Sequence, residues 1–387
     1  MSVTAAPGFA AAGVSAGIRP SGKPDVALVR ATAPAVGCAM WTTNRVQAAP
    51  VVVSRRHLEL AEPQAIVVNA GVANAATGSA GEQDAVATAV HAAAALGLEP
   101  EQILILSTGV IGPRLPMDRL LAGIDAAAVE LSRDGGTTAA EAILTTDAGP
   151  KTAVAEADGF TVGGMAKGAG MIHPCLATML AVVTTDYPLA PGEADAFLTP
   201  AVETSFNRIS VDGDCSTNDA VVLLARQGAA NRDTSRDESF AAALQDVCSD
   251  LARQIVADGE GATVVLEIHV AGASSADEAH AIARRVATSP LVKTAAFGRD
   301  PNWGRVLAAA GSAPWNGGFA RLDPDRLSVS FEGTPVFASG APTGGTPVLG
   351  GASCRIELDL GLGDGEAAYL ASDLSYDYVK LNAEYTT

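Results

Sequence analysis

The sequence runs to 387 residues, 48% of them hydrophobic, with 25 Lys and Arg against 43 Asp and Glu for a net charge of −18. That length suits one large or two medium domains with a sizeable core, and aromatics at 4% mean that Ala, Val, Leu and Ile must build it. So acidic a chain repels phosphate backbones and anionic lipid, which argues against nucleic acid and membrane surfaces as partners.

Short apolar runs predict strands at Val26–Arg30, Cys38–Thr42, Val51–Ser54 and Ala65–Asn69. Ala85, Ala89, Ala92 and Leu96 recur near helical spacing and predict a helix over Glu82–Leu96. A buried strand is expected over Gln102–Ser107, ending at a tight turn in Thr108-Gly109-Val110-Ile111-Gly112-Pro113, with a helix over Met117–Ile124. Thr161–Gly164 leads into a glycine-rich loop, and Thr178–Thr185 reads as the next strand. Helices follow at Pro191–Phe206, which contains Pro200, and at Ser235–Ala257, where Phe240, Leu244, Val247, Leu251 and Ile255 share a stripe. Between them lies a strand at Val221–Ala225. The last third predicts strands at Thr263–Val270, Leu327–Phe331, Cys354–Leu360 and Ala367–Ala371, a helix at Ala276–Ala287, and an exposed loop at Pro342–Pro347. Mixed strands and helices in both halves imply stacked sheet and helix layers, an α/β protein.

The five cysteines, Cys38, Cys175, Cys215, Cys248 and Cys354, are scattered and include no C-x-x-C pair. That pattern fits reduced thiols in a cytoplasm. No basic segment leads into an apolar core at the N-terminus, so no signal peptide is expected. No apolar run approaches the roughly 18 residues of a membrane span. Lysine is scarce: Lys23, Lys151, Lys167, Lys293 and Lys380 stand against 20 Arg. With arginine as the general surface cation, a lysine among glycines, as at Lys167, becomes a site candidate.

The stretch from Gly163 to Leu180 concentrates the chemistry. Four glycines surround Lys167, and Thr178 opens an apolar run. Taken locally, this is a glycine-rich loop feeding a buried strand, with Thr178 an ordinary residue. The sharper reading makes Thr178 a nucleophile. A threonine hydroxyl needs a base, and cutting the chain at Ala177–Thr178 would supply one in the new α-amino group. Three further segments are polar turns on local pattern: Glu141–Lys151, Ser205–Asp219 and Asp258–Thr263. The second holds Asp212, Asp214 and Asp219 but departs from the calcium-loop spacing. His173-Pro174-Cys175 does not make a zinc site, because Thr178 stands where a second cysteine would be needed. No metal is expected. Neither a Walker loop nor a G-x-S-x-G elbow occurs.

Together these segments resemble the ornithine acetyltransferase family, also called glutamate N-acetyltransferase, of arginine biosynthesis. The likeness runs nearly end to end. It includes Val68-Asn69-Ala70-Gly71, Ser107-Thr108-Gly109-Val110-Ile111-Gly112, Thr145-Thr146-Asp147, the Lys167–Leu180 stretch, Asp212-Gly213-Asp214 with Ser216-Thr217-Asn218-Asp219, and Asp258–Thr263. It continues through Ser289–Thr294 and Gly298–Arg305 to Asp373–Tyr385. Departures are Val264 where the family often has Lys, Ala70 for a common Ser, and Ala148 for a common Thr.

The resemblance implies an Ntn-like α/β/β/α sandwich with a smaller second α/β domain. It implies self-cleavage after Ala177 into residues 1–177 and 178–387, with the second piece shared between the sandwich and the smaller domain, and assembly as an α2β2 heterotetramer. Thr178 would be the nucleophile, and Thr108 and Gly109 the oxyanion hole. Thr145, Lys167, Thr178, Glu260, Asn382 and Thr387 would contact substrate. The implied reaction moves acetyl from N2-acetylornithine to L-glutamate by a ping-pong route in the cytoplasm, with no cofactor. Whether acetyl-CoA is a second donor, separating bifunctional from monofunctional enzymes, stays open, as does a place in secondary metabolism. Two alternatives also stay open: an amidase or aminopeptidase with the same kind of nucleophile and water as acceptor, and a non-enzymatic binding paralogue.

Overall fold

The computed structural model describes residues 2–173 and 179–384. The described residues form two compact units, one from within 2–207 and from 214–255, the other from 208–213 and 256–384.

Two sheets make the first unit. One runs Phe9–Val14, Val26–Ala31, Ala65–Val72, Ile103–Val110, with its last two strands parallel. The other runs Ala35–Trp41, Ala220–Gln227, Leu180–Leu189, Phe160–Lys167, Lys151–Ala157. Alternation along the strands decides the layers. Ile66, Val68, Leu104 and Leu106 of the first sheet share a core with Met165, Val182, Val222 and Leu224 of the second. The alternate residues Ala65, Val67, Ile103 and Ile105 face away, against Ala85, Ala89 and Ala92 of helix Gly78–Leu96 and Leu120 and Ile124 of helix Met117–Glu130. On the far side of the second sheet, Phe160 and Tyr187 pack with Phe240 of helix Asp237–Ala257, which in turn packs on Phe197 of helix Ala194–Glu203. The expected α/β/β/α sandwich is thus built.

In the second unit a seven-stranded sheet is covered on one face. Leu266, Ile268 and Val270 of strand Val265–Ala273 pack with Ile282 and Val286 of helix Ala276–Ala287 and Val306 of helix Trp303–Ala310. Helix Pro290–Phe297 starts at Ser289, whose hydroxyl accepts the Val292 N–H, with Pro290 in its first turn. No helix among the described residues is long and apolar enough to cross a membrane.

Several expectations need correction. The Val51–Ser54 run is not a strand but part of helix Ala49–Leu58. Pro50 opens it, and Ser54 and His57, three apart on one face, bond the Ile105 and Ile103 carbonyls. Those tertiary bonds outweigh the β-propensity of three valines. Thr108 and Gly109 do not form a turn; strand Ile103–Val110 continues through them, paired with Ala70 and Gly71. Lys167 is not in a loop either. Strand Phe160–Lys167 carries the glycines 163 and 164 straight on, because a Cβ at Gly164 would come within 2.9 Å of Val247 and 2.8 Å of Leu251.

Candidate functional site

The candidate oxyanion residues sit at the carboxyl ends of two parallel strands. Gly109 lies opposite Gly71, both with positive φ, +130° and +109°. A Cβ on Gly109 would fall 2.2 Å from the Gly71 carbonyl carbon, so only glycine lets the backbones come this close. Thr108 is buried beside it. Behind it, Ser107 Oγ donates to Asn69 Oδ1 at 2.6 Å, and Asn69 Nδ2 donates to the Val72 carbonyl at 2.8 Å.

Asn218 joins this strand end to the strand that follows Thr178. Its amide donates to the carbonyls of Ala73 at 2.7 Å and Ser107 at 2.9 Å. The neighbouring Asp219 accepts the Met179 N–H on Oδ1 at 3.0 Å, and the Met179 carbonyl accepts the Ala220 N–H at 3.1 Å. Leu180, next in the chain, lies opposite Lys167 across the sheet. Ala177, Thr178 and Thr387 themselves lie outside the described residues.

Lys167 is buried, 2% exposed, and so is Lys151. Both face the Asp147 carboxylate, Lys151 Nζ at 2.7 Å from Oδ1 and Lys167 Nζ at 4.0 Å from Oδ2. The Gly168 N–H reaches Oδ1 at 2.6 Å and the Thr145 N–H reaches Oδ2 at 2.9 Å. Burial alone would push the Asp147 carboxyl up, but the Lys167 and Lys151 charges and the Lys151 and Thr145 hydrogen bonds together hold it well below the usual carboxylate range. Thr145 and Lys167, placed far apart in sequence, are thereby brought to one carboxylate.

Glu260 and Asn382 belong to the second unit and meet there, Asn382 Nδ2 donating to Glu260 Oε2 at 2.9 Å. The Glu260 loop is held from two sides. Asp373 accepts the Thr263 and Val264 N–H groups, and Ser375 Oγ donates to the Gly261 carbonyl at 2.6 Å. Of the site candidates among the described residues, Thr108 with Gly109, Thr145 with Lys167, and Glu260 with Asn382 therefore form three local pairs.

Sequence reasoning assigned no role to Asp147, Lys151, Asn218 or Asp219, although each lies in a motif quoted above or beside one. The scarcity of lysine held a usable signal. Lys151, Lys167 and Lys293 are buried, whereas Lys23 and Lys380 are exposed.

The profile of the ArgJ family matches residues 10–387. The chain belongs to the ArgJ family. Among its relatives is the arginine biosynthesis bifunctional protein ArgJ of Thermobifida fusca, 46% identical over 390 residues that cover 100% of both chains. The protein of the same name from Mycolicibacterium paratuberculosis is 48% identical over 396 residues, covering 100% of this chain and 96% of that one. A crystal structure of ornithine acetyltransferase complexed with ornithine, from Mycobacterium tuberculosis, is 46% identical, covers 45% of this chain and 94% of that one, and has a TM-score of 0.44. The family resemblance read from the motifs is borne out, and so is the enzyme class, an ArgJ-type acyltransferase of arginine biosynthesis.

Proposed function

We propose that this ArgJ-family enzyme moves acetyl from N2-acetylornithine to L-glutamate through an acetyl ester on Thr178. The chain cuts itself between Ala177 and Thr178. The Thr178 hydroxyl then attacks the acetyl carbonyl while its own α-amino group takes the proton. Such an amine, with an ordinary pKa of about 7.7–8.0, is a suitable base near neutrality. The Thr108 hydroxyl and the Gly109 N–H meet the charge that develops on the carbonyl oxygen. Ornithine leaves, glutamate enters, and its amine attacks the ester.

The observation that carries this reading is the Asn218–Asp219 bridge. One residue bonds the Ser107 carbonyl, next to Thr108, and the next bonds the N–H of Met179, next to Thr178. Both substrates are α-amino acids, so one pocket serves both carboxylates. Lys167 suits that task by charge, and Thr145, Asn382 and Thr387 are further proposed substrate contacts. Glu260 suits the side-chain ammonium of ornithine, oriented by Asn382. The enzyme works in the cytoplasm as an α2β2 heterotetramer of the two cleaved chains, without a cofactor, and acetyl-CoA is the second donor of a bifunctional enzyme.

The test is incubation with acetylornithine and glutamate, with and without acetyl-CoA. Acetylglutamate and ornithine should form from acetylornithine and glutamate without acetyl-CoA. Release of acetate in its place, unaffected by glutamate, would make the protein a hydrolase and reject the transferase reading. Acetylglutamate from acetyl-CoA would establish the second donor, and none would confine the enzyme to acetylornithine.

A further inference from the structure

The acetyl transfer set out above leaves Asp147 without a task, yet two of the proposed substrate contacts converge on it. Its side chain is fully buried. Oδ1 accepts Lys151 Nζ at 2.7 Å and the Gly168 N–H at 2.6 Å. Oδ2 accepts the Thr145 N–H at 2.9 Å and the Thr145 hydroxyl at 3.4 Å, and lies 4.0 Å from Lys167 Nζ. These donors come from separate places. Thr145 follows helix Gly136–Ala142, Lys151 begins strand Lys151–Ala157, and Lys167 ends strand Phe160–Lys167. The ladder between the two strands pairs Lys151 with Ala166 and so fixes Lys167, but Thr145 lies outside it. The position of Thr145 relative to Lys167 is therefore set through the Asp147 carboxylate.

The chemistry of this contact is directional. An ionised carboxylate accepts and cannot donate. The Thr145 hydroxyl hydrogen is thus committed to Asp147, and its oxygen is turned into an acceptor for an N–H. An ammonium such as Lys167 can only donate, which suits a carboxylate. An N–H acceptor beside a carboxylate donor complements the nitrogen–Cα–carboxylate unit that acetylornithine and glutamate share.

We infer that Asp147, clamped by Lys151, is a positioning residue that holds Thr145 and Lys167 as a receptor for the α-nitrogen and α-carboxylate of both substrates. This rests on the reading that Thr145 and Lys167 contact substrate. The strongly favoured ionised form of Asp147 agrees with it, since the acceptor role persists throughout the neutral range.

The test is calorimetric titration of the cleaved protein with L-ornithine and with putrescine, the same molecule without its α-carboxylate. No acetyl donor is present, so nothing turns over. The main variant is the double replacement Asp147→Asn with Lys151→Met, which removes the closest ion pair as a unit and keeps the net charge of the group, with the Lys167 ammonium left in place. Wild type should bind ornithine at least about tenfold more tightly than putrescine. A folded, cleaved double variant should lose about tenfold or more in ornithine affinity, and putrescine, which keeps the nitrogen but lacks the carboxylate, should lose at least about threefold less, as the loss of charge-assisted contacts implies. In turnover, KM for acetylornithine and for glutamate should rise together. Asp147→Glu keeps the charge and moves it by one methylene; it should weaken ornithine by about fivefold or more, and it decides the matter if the double variant does not fold. Unchanged ornithine affinity in a folded variant, or equal losses for ornithine and putrescine, would overturn the positioning role. Wild type that does not distinguish the two ligands would instead reject the substrate reading, and the inference with it.

Discussion

Asn218 Nδ2 donates to the carbonyl oxygen of Ser107 across 2.9 Å, tying the segment that leads into strand Ala220–Gln227 to the residue before Thr108. The same amide holds the Ala73 carbonyl. Through Asp219 and Met179 the connection reaches the residue after Thr178.

Asn218→Ala should therefore disturb catalysis more than binding. It strands two buried carbonyls, at about 1–3 kcal/mol each if no water replaces the amide. Turnover should fall by about tenfold to a hundredfold with KM little changed. Steady-state kinetics on acetylornithine check this; an unchanged kcat would separate Asn218 from the oxyanion strand.

Thr108→Val removes one proposed oxyanion donor and keeps the shape of the side chain. Loss of such a donor costs about 10²–10³ in kcat. A variant with wild-type kcat would exclude the Thr108 hydroxyl from that role. The backbone beside it allows a paired comparison. Gly109→Ala drives a Cβ into the Gly71 backbone at 2.2 Å, whereas Gly71→Ala meets the Arg19 and Ile18 side chains at 3.1 and 3.2 Å. Both positions carry positive φ, so both substitutions strain the chain, but the Gly109 variant should lose more thermal stability. Equal melting temperatures would contradict the close approach.

Lys293 gives a pH test in the second unit. Its ammonium donates to the Ser372 carbonyl and to Ser372 Oγ, and burial lowers its pKa to about 8, against the pull of Asp373 and Asp212. Between that value and the unfolded value of about 10.4 the unfolded chain binds the extra proton, so stability from this group rises with pH. Measured against Lys293→Met, the melting temperature of wild type should gain from pH 7.5 to pH 10. A difference that stays flat or shrinks would mean that Lys293 is not held with a lowered pKa.

Most of the framework was legible from pattern. Helix Ala276–Ala287 matches its expected bounds, and strand Val26–Ala31 lies within one residue of them. What pattern missed was decided by distant partners. Three valines after Pro50 form a helix because Ser54 and His57 bond a neighbouring strand. Lys167 sits at a strand end because two glycines before it make room for neighbouring chain and helix. The roles of Asp147 and Asn218 are invisible locally, since a carboxylate or amide in a polar turn announces nothing until its partners, in other strands, fold around it.

The central claim is that breaking the chain before Thr178 creates the catalytic base. N-terminal sequencing and intact mass of purified protein, wild type beside Thr178→Ala, test it most directly. Wild type should yield two chains, one beginning at Thr178, and the variant a single uncut chain without transferase activity. A transferase-active wild type that remains one chain, or a Thr178→Ala variant that still cuts at that bond, would contradict it.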